Sequence, residues 1–270
     1  MMKLRNNRSM AAPLIDNFFT PQLLADEKDF LLVYKPPRMH AAPQASSGGG
    51  ETMLDWCVAR FPEVADITGR KEGEGGLLHR LDYDTHGLML IARNSKGMEA
   101  LLAQQKDGRI IKEYSALTAE KEVALPGFPK ERPCFPTGEL TLPECENGIK
   151  LRIESAFRPY GPGRKAVRPV LSGGDGKLYM TEILECRPVS EENLSHYYSF
   201  KLRLRKGFRH QIRCHLAWLG LPILNDCIYG GPPFGNGGLL ALRAISIAFI
   251  DPSSGQERSY SIPDLSAALI

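Results

Sequence analysis

Between Leu77 and Ile91 the chain sets a polar insert between two apolar runs. Leu77-Leu78 precedes His79-Arg80-Leu81-Asp82-Tyr83-Asp84-Thr85-His86, and Gly87-Leu88-Met89-Leu90-Ile91 comes after it. The apolar runs read as buried strand pieces, although runs this short share their pattern with buried helix. A carboxylate drawn into such surroundings is costly unless paired or hydrogen-bonded. Packing alone does not account for the insert, and Asp82 is the expected centre of a site.

The flanking segments read as alternating strands and helices. Phe30–Tyr34 is a predicted strand stopped by Pro36-Pro37, with Lys35 at its exit, either facing a cleft or simply solvated. Residues 41–50 read as a flexible loop by composition. Thr52 to Phe61 carries a capping-box pattern, Thr52 with Asp55, and an apolar face of Leu54, Cys57, Val58 and Phe61. A second helix starts at Asn94 or Ser95 and ends at Gly108. In the strand from Arg109 to Thr118, alternation puts Lys112 and Tyr114 on one face. Tyr114 there is either a core residue or a site residue.

Residues 119–149 carry no periodicity and read as a long irregular connection. Leu151–Ile153 and Leu178–Cys186 are predicted strands. Between them Arg158 to Arg168 reads as a basic loop, either a phosphate-contacting surface or a solvated one. Phe200, Leu202 and Leu204 alternate with Lys201, Arg203 and Arg205, which predicts an antiparallel strand with one basic face. A helix comes next, from His210 to Leu219, with His210 and Arg213 on one flank. Lys201 to Arg213 holds six Lys and Arg and no acid, a local positive potential far above that of the net charge of +3. Leu239–Ile250 and Arg258–Ile262 read as a hairpin completing a sheet edge.

Several classes are unsupported. The six cysteines include no Cys-x-x-Cys pair and are expected to be scattered reduced thiols. The basic start of the chain has no apolar segment behind it, and no run approaches the ~20 apolar residues of a membrane helix. A cytoplasmic protein is expected. Phosphate-loop, dinucleotide and zinc-protease motifs are missing. His79, Asp82 and His86, or His210 with His215, match no zinc spacing. The residues alone support an α+β protein that binds nucleic acid, whether as an enzyme or as a silent binding module.

Three stretches together resemble the RluA-type RNA pseudouridine synthases. His79 to Leu90 is similar to that family's HRLD-x-x-T-S-G-L-L-L signature. Lys112-Glu113-Tyr114-Ser115-Ala116 resembles its K-x-Y-x-A strand. Gly207 to Leu216, with Gly220-Leu221-Pro222-Ile223 and Asp226-Cys227-Ile228-Tyr229-Gly230, resembles its G-R-T-H-Q-I-R-V-H-L block with the G-x-P-I and D-x-x-Y-G pieces beyond it. Lys35-Pro36 matches the family's K-P. The likeness runs from about residue 25 to 265.

This resemblance implies a pseudouridine synthase fold: one α+β domain with a mixed, mostly antiparallel central sheet flanked by helices and loops, and an active site in a central basic cleft. It implies isomerisation of uridine in structured rRNA or tRNA, after the base is flipped out, without cofactor or metal. Asp82 matches the catalytic aspartate, Tyr114 the tyrosine against the target base, and Arg213 the basic partner of the aspartate. Arg80 matches an arginine that holds RNA open. Lys35, Lys112, Arg203, Arg205, Arg209, His210 and Gln211 are the further expected RNA contacts. The expected organisation is a basic arm over residues 1–24 and one catalytic domain over 25–270, without an S4 domain, as a monomer needing no protein partner. His86, Phe208, Arg209 and Arg243 depart from the family pattern, and are expected near the cleft, bearing on RNA choice. The competing readings are an RNA-binding or chaperone module on the same scaffold, and a metal-dependent phosphoesterase.

Overall fold

The computed structural model describes residues 10–11, 17–43, 50–122, 125–133, 151–171, 177–189, 196–235 and 237–265. The strands in chain order are β1 (Met10–Ala11), β2 (Gln22–Asp26), β3 (Phe30–Lys35), β4 (His86–Ala92), β5 (Ile111–Ala119), β6 (Leu151–Tyr160), β7 (Ala166–Val170), β8 (Tyr179–Pro188), β9 (Tyr197–Leu204), β10 (Leu242–Ile250) and β11 (Glu257–Ser261). Three α-helices accompany them among the described residues: α1 (Met53–Val58), α2 (Ser95–Lys106) and α3 (Gln211–Trp218). The strands lie in the order β2-β3-β4-β10-β5-β9-β8-β6-β7, with β11 branching from β10 and β1 pairing β11. Only β4–β10 and β1–β11 are parallel among these pairs, so the sheet is mixed and mostly antiparallel, as expected.

The central strands are apolar on both faces because both faces are covered. Leu31, Val33, Met89 and Ile91 join Leu202, Ile212, Leu216 and Leu242 in one core. Phe30, Leu32, Leu88 and Leu90 join Met98, Leu101, Ile247 and Phe249 in the other, beneath α2. The Thr52–Asp55 capping box forms in both directions, and the Asn94 side chain caps α2 by accepting from the Gly97 N–H at 2.8 Å.

Four expectations change. Leu77-Leu78 is no strand: Leu77 makes a single bridge to Ile91. Two residues cannot extend a ladder, and each instead plugs one of the two cores. The closing hairpin is not an edge, since β10 lies between β4 and β5. The side chains of β10 are mostly buried because its two faces feed the two cores, Leu242 and Ala244 one, Ile245, Ile247 and Phe249 the other. The basic segment Arg158 to Arg168 is a β-hairpin rather than a loop, with Arg158 opposite Arg168. Pro159 and Pro169 obscure its alternation, and Pro is tolerated on an edge strand such as β7. Finally, Gln22–Asp26 pairs with β3 across the boundary expected at residue 24. The long connection 119–149 falls largely outside the described residues, as do 44–49 of the expected loop and Cys134 and Cys145.

The β4–β10 contact depends on Gly87. Its φ is +122°, and a Cβ there would lie 2.2 Å from the Ala244 carbonyl oxygen. Gly87→Ala is expected to lower stability by on the order of 3 kcal/mol, from overpacking against fixed backbone plus φ strain. Urea unfolding of the two proteins measures it.

Candidate active site

The polar insert loops out of the sheet immediately before β4 and is fastened at several points. The His79 imidazole accepts the Leu90 N–H at 3.2 Å. The Gln105 amide of α2 donates to the Leu78 carbonyl at 3.1 Å. Lys35, fully buried at the end of β3, donates to the carbonyls of Pro36 at 2.8 Å, Met39 at 2.7 Å and Tyr83 at 3.2 Å. Three carbonyls match the three protons of an ammonium group. Burial pulls the Lys35 pKa down to about 7 while Asp82 and Asp84 pull the other way. Lys35 therefore holds the insert from beneath, at a titration point close to neutrality, and is no surface contact for a ligand.

Asp82 meets Arg213 and His210 from α3 and its cap. One carboxylate oxygen is 3.2 Å from Arg213 Nη1, and the other is 3.8 Å from His210 Nε2. His210 reaches this place because it adopts a left-handed conformation at the helix start, φ 56°. Its Nδ1 lies 3.2 Å from the Tyr229 hydroxyl. Burial lowers the His210 pKa, and Arg213 and Arg209 add to that against the pull of Asp82.

Arg213 is itself fixed from behind. Its Nε and Nη2 donate to the two oxygens of Asp226 at 2.7 and 2.8 Å. The Asp226 side chain is wholly buried and also accepts the N–H groups of Ile228 and Tyr229. Burial works against the Arg213 charge, but Asp226 and Asp82 outweigh it and raise its pKa above the ordinary arginine value. Asp226 is a site residue that sequence reasoning misses. Two signals point to it there, its place at the head of the D-x-x-Y-G piece and its being the only acid between Glu192 and Asp251, but neither gives it a role.

Tyr114 points from β5 toward the same centre, 7% exposed. Burial raises its pKa, with Asp82 adding to the effect, so the phenol stays protonated. Asp82, Tyr114, His210 and Arg213 open onto a cleft of about 1400 Å³. Lysines and arginines, among them Arg70, Arg80, Lys106, Lys165 and Arg209, outnumber the two carboxylates, Asp82 and Asp84, on its walls. Arg80 is half-exposed there, 3.3 Å from Glu74. Arg209 donates to the Arg164 and Ala166 carbonyls.

Other expected contacts lie elsewhere. Arg203 is bound through two nitrogens to Glu113, Lys201 is 3.6 Å from the same residue, and Arg205 is 4.0 Å from Glu182. The basic face of β9 is therefore matched by acids from β5 and β8. Leu202 and Leu204 of the opposite face pack in the core with Tyr114. Gln211 is 2% exposed, and its amide is spent on Phe208 N–H, the Met180 carbonyl and Thr181. Arg168 is buried, donating to the Pro126 and Val167 carbonyls.

Two of the departures are also away from the cleft. His86 and Arg243 face each other across β4 and β10, 1% and 3% exposed. His86 lies 4.5 Å from the Phe18 ring. Phe208 does line the cleft, stacked 5.0 Å from Phe157. His215 is buried between the Thr181 and Ser155 hydroxyls. Among the described residues no three His, Cys, Asp or Glu side chains form a group able to hold a metal.

The structure is thus an α+β protein whose mixed sheet carries a carboxylate–arginine centre in a basic cleft. A family model described as RNA pseudouridylate synthase matches residues 29–218, and the chain belongs to that family. Ribosomal large subunit pseudouridine synthase D of Haemophilus ducreyi is 28% identical over 220 residues, 80% of this chain and 56% of that protein. An uncharacterized RNA pseudouridine synthase of Chloroflexus aurantiacus is 32% identical over 234 residues, 85% of this chain and 61% of that one. The chain thus spans less than two thirds of the length of these relatives. The solved structure of human RNA pseudouridylate synthase domain containing 1 superposes with a TM-score of 0.57 at 19% identity, covering 92% of this chain and 85% of that one. The human domain containing 4 gives 0.54 at 16%, covering 90% and 88%. These two likenesses establish the fold. No helix among the described residues is long and apolar enough to cross a membrane.

Removing the Asp226 carboxylate leaves a buried guanidinium without its main partner, at a cost of about 3–5 kcal/mol. Asp226→Ala is therefore expected to lower the urea midpoint substantially and to weaken turnover, because Arg213 loses its aim. A variant as stable and active as the parent would show that Asp226 does not hold Arg213. For Lys35 the unfolded chain keeps its proton to about 10.4, whereas the folded chain loses it near 7. The unfolded state binds more protons between these values, so the Lys35-linked stability rises with pH by up to about 1.4 kcal/mol per unit. Unfolding free energies from pH 7 to 9 should rise more steeply in the parent than in Lys35→Met, which keeps only the part contributed by Lys112.

Proposed function

We propose that this protein isomerises uridine to pseudouridine in RNA, with Asp82 as the residue that carries the chemistry. The observation that supports this most is the carboxylate of Asp82 standing in a basic cleft, held by an arginine that a second, buried carboxylate fixes from behind.

The reaction breaks the bond between ribose C1′ and uracil N1, turns the base, and joins C1′ to C5. The proton then leaves C5 and N1 is protonated, so atoms balance without a redox partner. Arg213 aims one Asp82 oxygen into the cleft, and charge-assisted contacts of this kind are short and directional. Asp82 acts either as nucleophile or as base, since a carboxylate serves in both roles. Tyr114, kept protonated by burial, lies where an extruded uracil would pack and can exchange a proton late in the reaction. The uridine must leave its stack, because a paired base presents neither C1′ nor C5 to a side chain. Arg80 and Arg209 on the cleft walls are placed to hold the opened strand through its phosphates. The names of the two relatives point to RNA, and the Haemophilus ducreyi protein to large-subunit ribosomal RNA, as the substrate class. The working unit is a monomer with one catalytic domain, acting in the cytoplasm.

Asp82→Asn keeps the shape of the side chain and the hydrogen bond to Arg213 but removes the charge. Pseudouridine formation on ribosomal and transfer RNA should fall at least about a thousand-fold, an order of effect typical of removing a group that acts in the chemical step. RNA affinity should change little. Pseudouridine mapping of total RNA with and without the gene identifies the site. No pseudouridine from the parent protein on any of these RNAs would reject the enzymatic reading and leave an RNA-binding module.

A further inference from the structure

Lys112 stands apart from every other buried cation near the cleft. It lies on β5, 4% exposed, and its ammonium end opens onto the cleft wall. Lys35 has three carbonyl acceptors and Arg213 has two carboxylates. Among the described residues Lys112 has no such acceptor. Burial pulls its pKa down to about 8, and the neighbouring cation Arg70 adds to that. His79, within reach of its charge, is neutral, its own pKa lowered to about 3 by burial, then by Lys112 and Arg70.

Burying an ammonium without a partner is costly. Strand β5 places Lys112 there nonetheless, and the surroundings keep a path to it. Gly207 sits over the ammonium: a Cβ at 207 would be 3.7 Å from Nζ, with no other contact inside 4 Å. The missing side chain leaves room for a ligand atom. Arg70 is held at the same end by the Gln105 side chain, 3.2 Å away, and Lys106 and Lys206 line the cleft there too.

We propose that Lys112 and Arg70 form a seat for one RNA phosphodiester, reached over Gly207, next to the nucleotide being isomerised. The proposal rests on the RNA-modifying function above and assigns one phosphate to one place. Lys112 and Tyr114 are two apart on one strand face, about 6.6–6.8 Å along the strand, which is the reach of one nucleotide. A phosphate at Lys112 therefore belongs to the nucleotide at Tyr114 or its immediate neighbour. The anion supplies the acceptor that the protein withholds.

The test uses the full chain labelled with 15N-lysine and a fluorescein-labelled single-stranded 12-nucleotide oligouridylate. Lys112→Met assigns the Lys112 Nζ signal. Bound oligouridylate should raise the Lys112 titration midpoint from about 8 by a unit or more, with inorganic phosphate at equal concentration raising it less. In anisotropy titrations the slope of log affinity against log salt should flatten by about 0.7, one phosphate on a single strand, in Lys112→Met. Gly207→Leu fills the approach while leaving the lysine itself in place, at a position where a Cβ meets no backbone, and should flatten the slope equally and abolish the midpoint shift. The parent titration and the glycine variant keep the test decisive if Lys112→Met does not fold. An unmoved midpoint with RNA bound, or unchanged slopes, overturns the phosphate seat. An equal response to inorganic phosphate overturns its assignment to RNA. The same preparations are assayed for pseudouridine. A parent that forms pseudouridine with Lys112 unmoved overturns this proposal alone, whereas one that forms none on cellular RNA overturns the function and this seat with it.

Discussion

The two-pronged contact between Arg213 and Asp226 is what the centre of the cleft depends on. A guanidinium taken out of water needs its charge met and its N–H groups accepted, and a carboxylate fork does both at once. Asp226 is in turn held by backbone N–H groups of the turn just after it. The arginine is left with one free nitrogen, Nη1, and that nitrogen meets Asp82. The geometry of Asp82 is thus decided 131 residues away in sequence, by a helix and a turn. A lysine at 213 could supply the charge but not two fixed directions, one for each carboxylate.

The other half of that geometry comes from below. The insert carrying Asp82 has polar side chains and no ladder of its own, so it needs fastening. Lys35 provides it by joining three carbonyls, one of them on the residue after Asp82. The same ammonium adds positive charge beneath the carboxylate. β3 and β4, which deliver Lys35 and the insert, pair antiparallel with Lys35 opposite Gly87. Gly87 also lets β10 approach on the other side. One glycine thereby ties the insert's exit to both neighbours, which is how a loop gains the stiffness that positioning a reacting group requires.

Much of this is legible in the chain. Apolar runs locate β3 and β4, alternation locates β5 and β9, and helical periodicity locates all three helices, because each is a pattern set by local order. Lys112 and Tyr114 fall on one face as alternation requires, since alternation is a local rule. The position of β10 is not legible: pairing between β4 and β5 joins segments far apart, and nothing in its own pattern separates a central strand from an edge. Asp226 escapes for the same reason, because its partner is identified only when α3 and the turn after it come together. Lys35 at a strand exit suggests a cleft-facing or solvated group, whereas its carbonyl partners at Met39 and Tyr83 belong to loops without periodicity.

Charge shows the limit most clearly. Six cations between Lys201 and Arg213 look in sequence like one binding surface. Folding divides them by where the strand ends. Lys201 and Arg203 share a face with Glu113, and Arg205 approaches Glu182, so their charge is met by neighbouring strands. Lys206, Arg209 and Arg213 lie beyond the strand and turn to the cleft. The His86–Arg243 pair is the converse case. Two cation-forming groups meet in the core because burial keeps the imidazole neutral, with a pKa lowered to about 3. The guanidinium lies over the Phe18 and Tyr34 rings, 5.8 and 5.9 Å away, where a π face offsets part of the desolvation. A departure buried in this way acts on packing between β4 and β10. A departure on the cleft wall, such as Phe208 beside Tyr179, is the kind that a bound strand can feel.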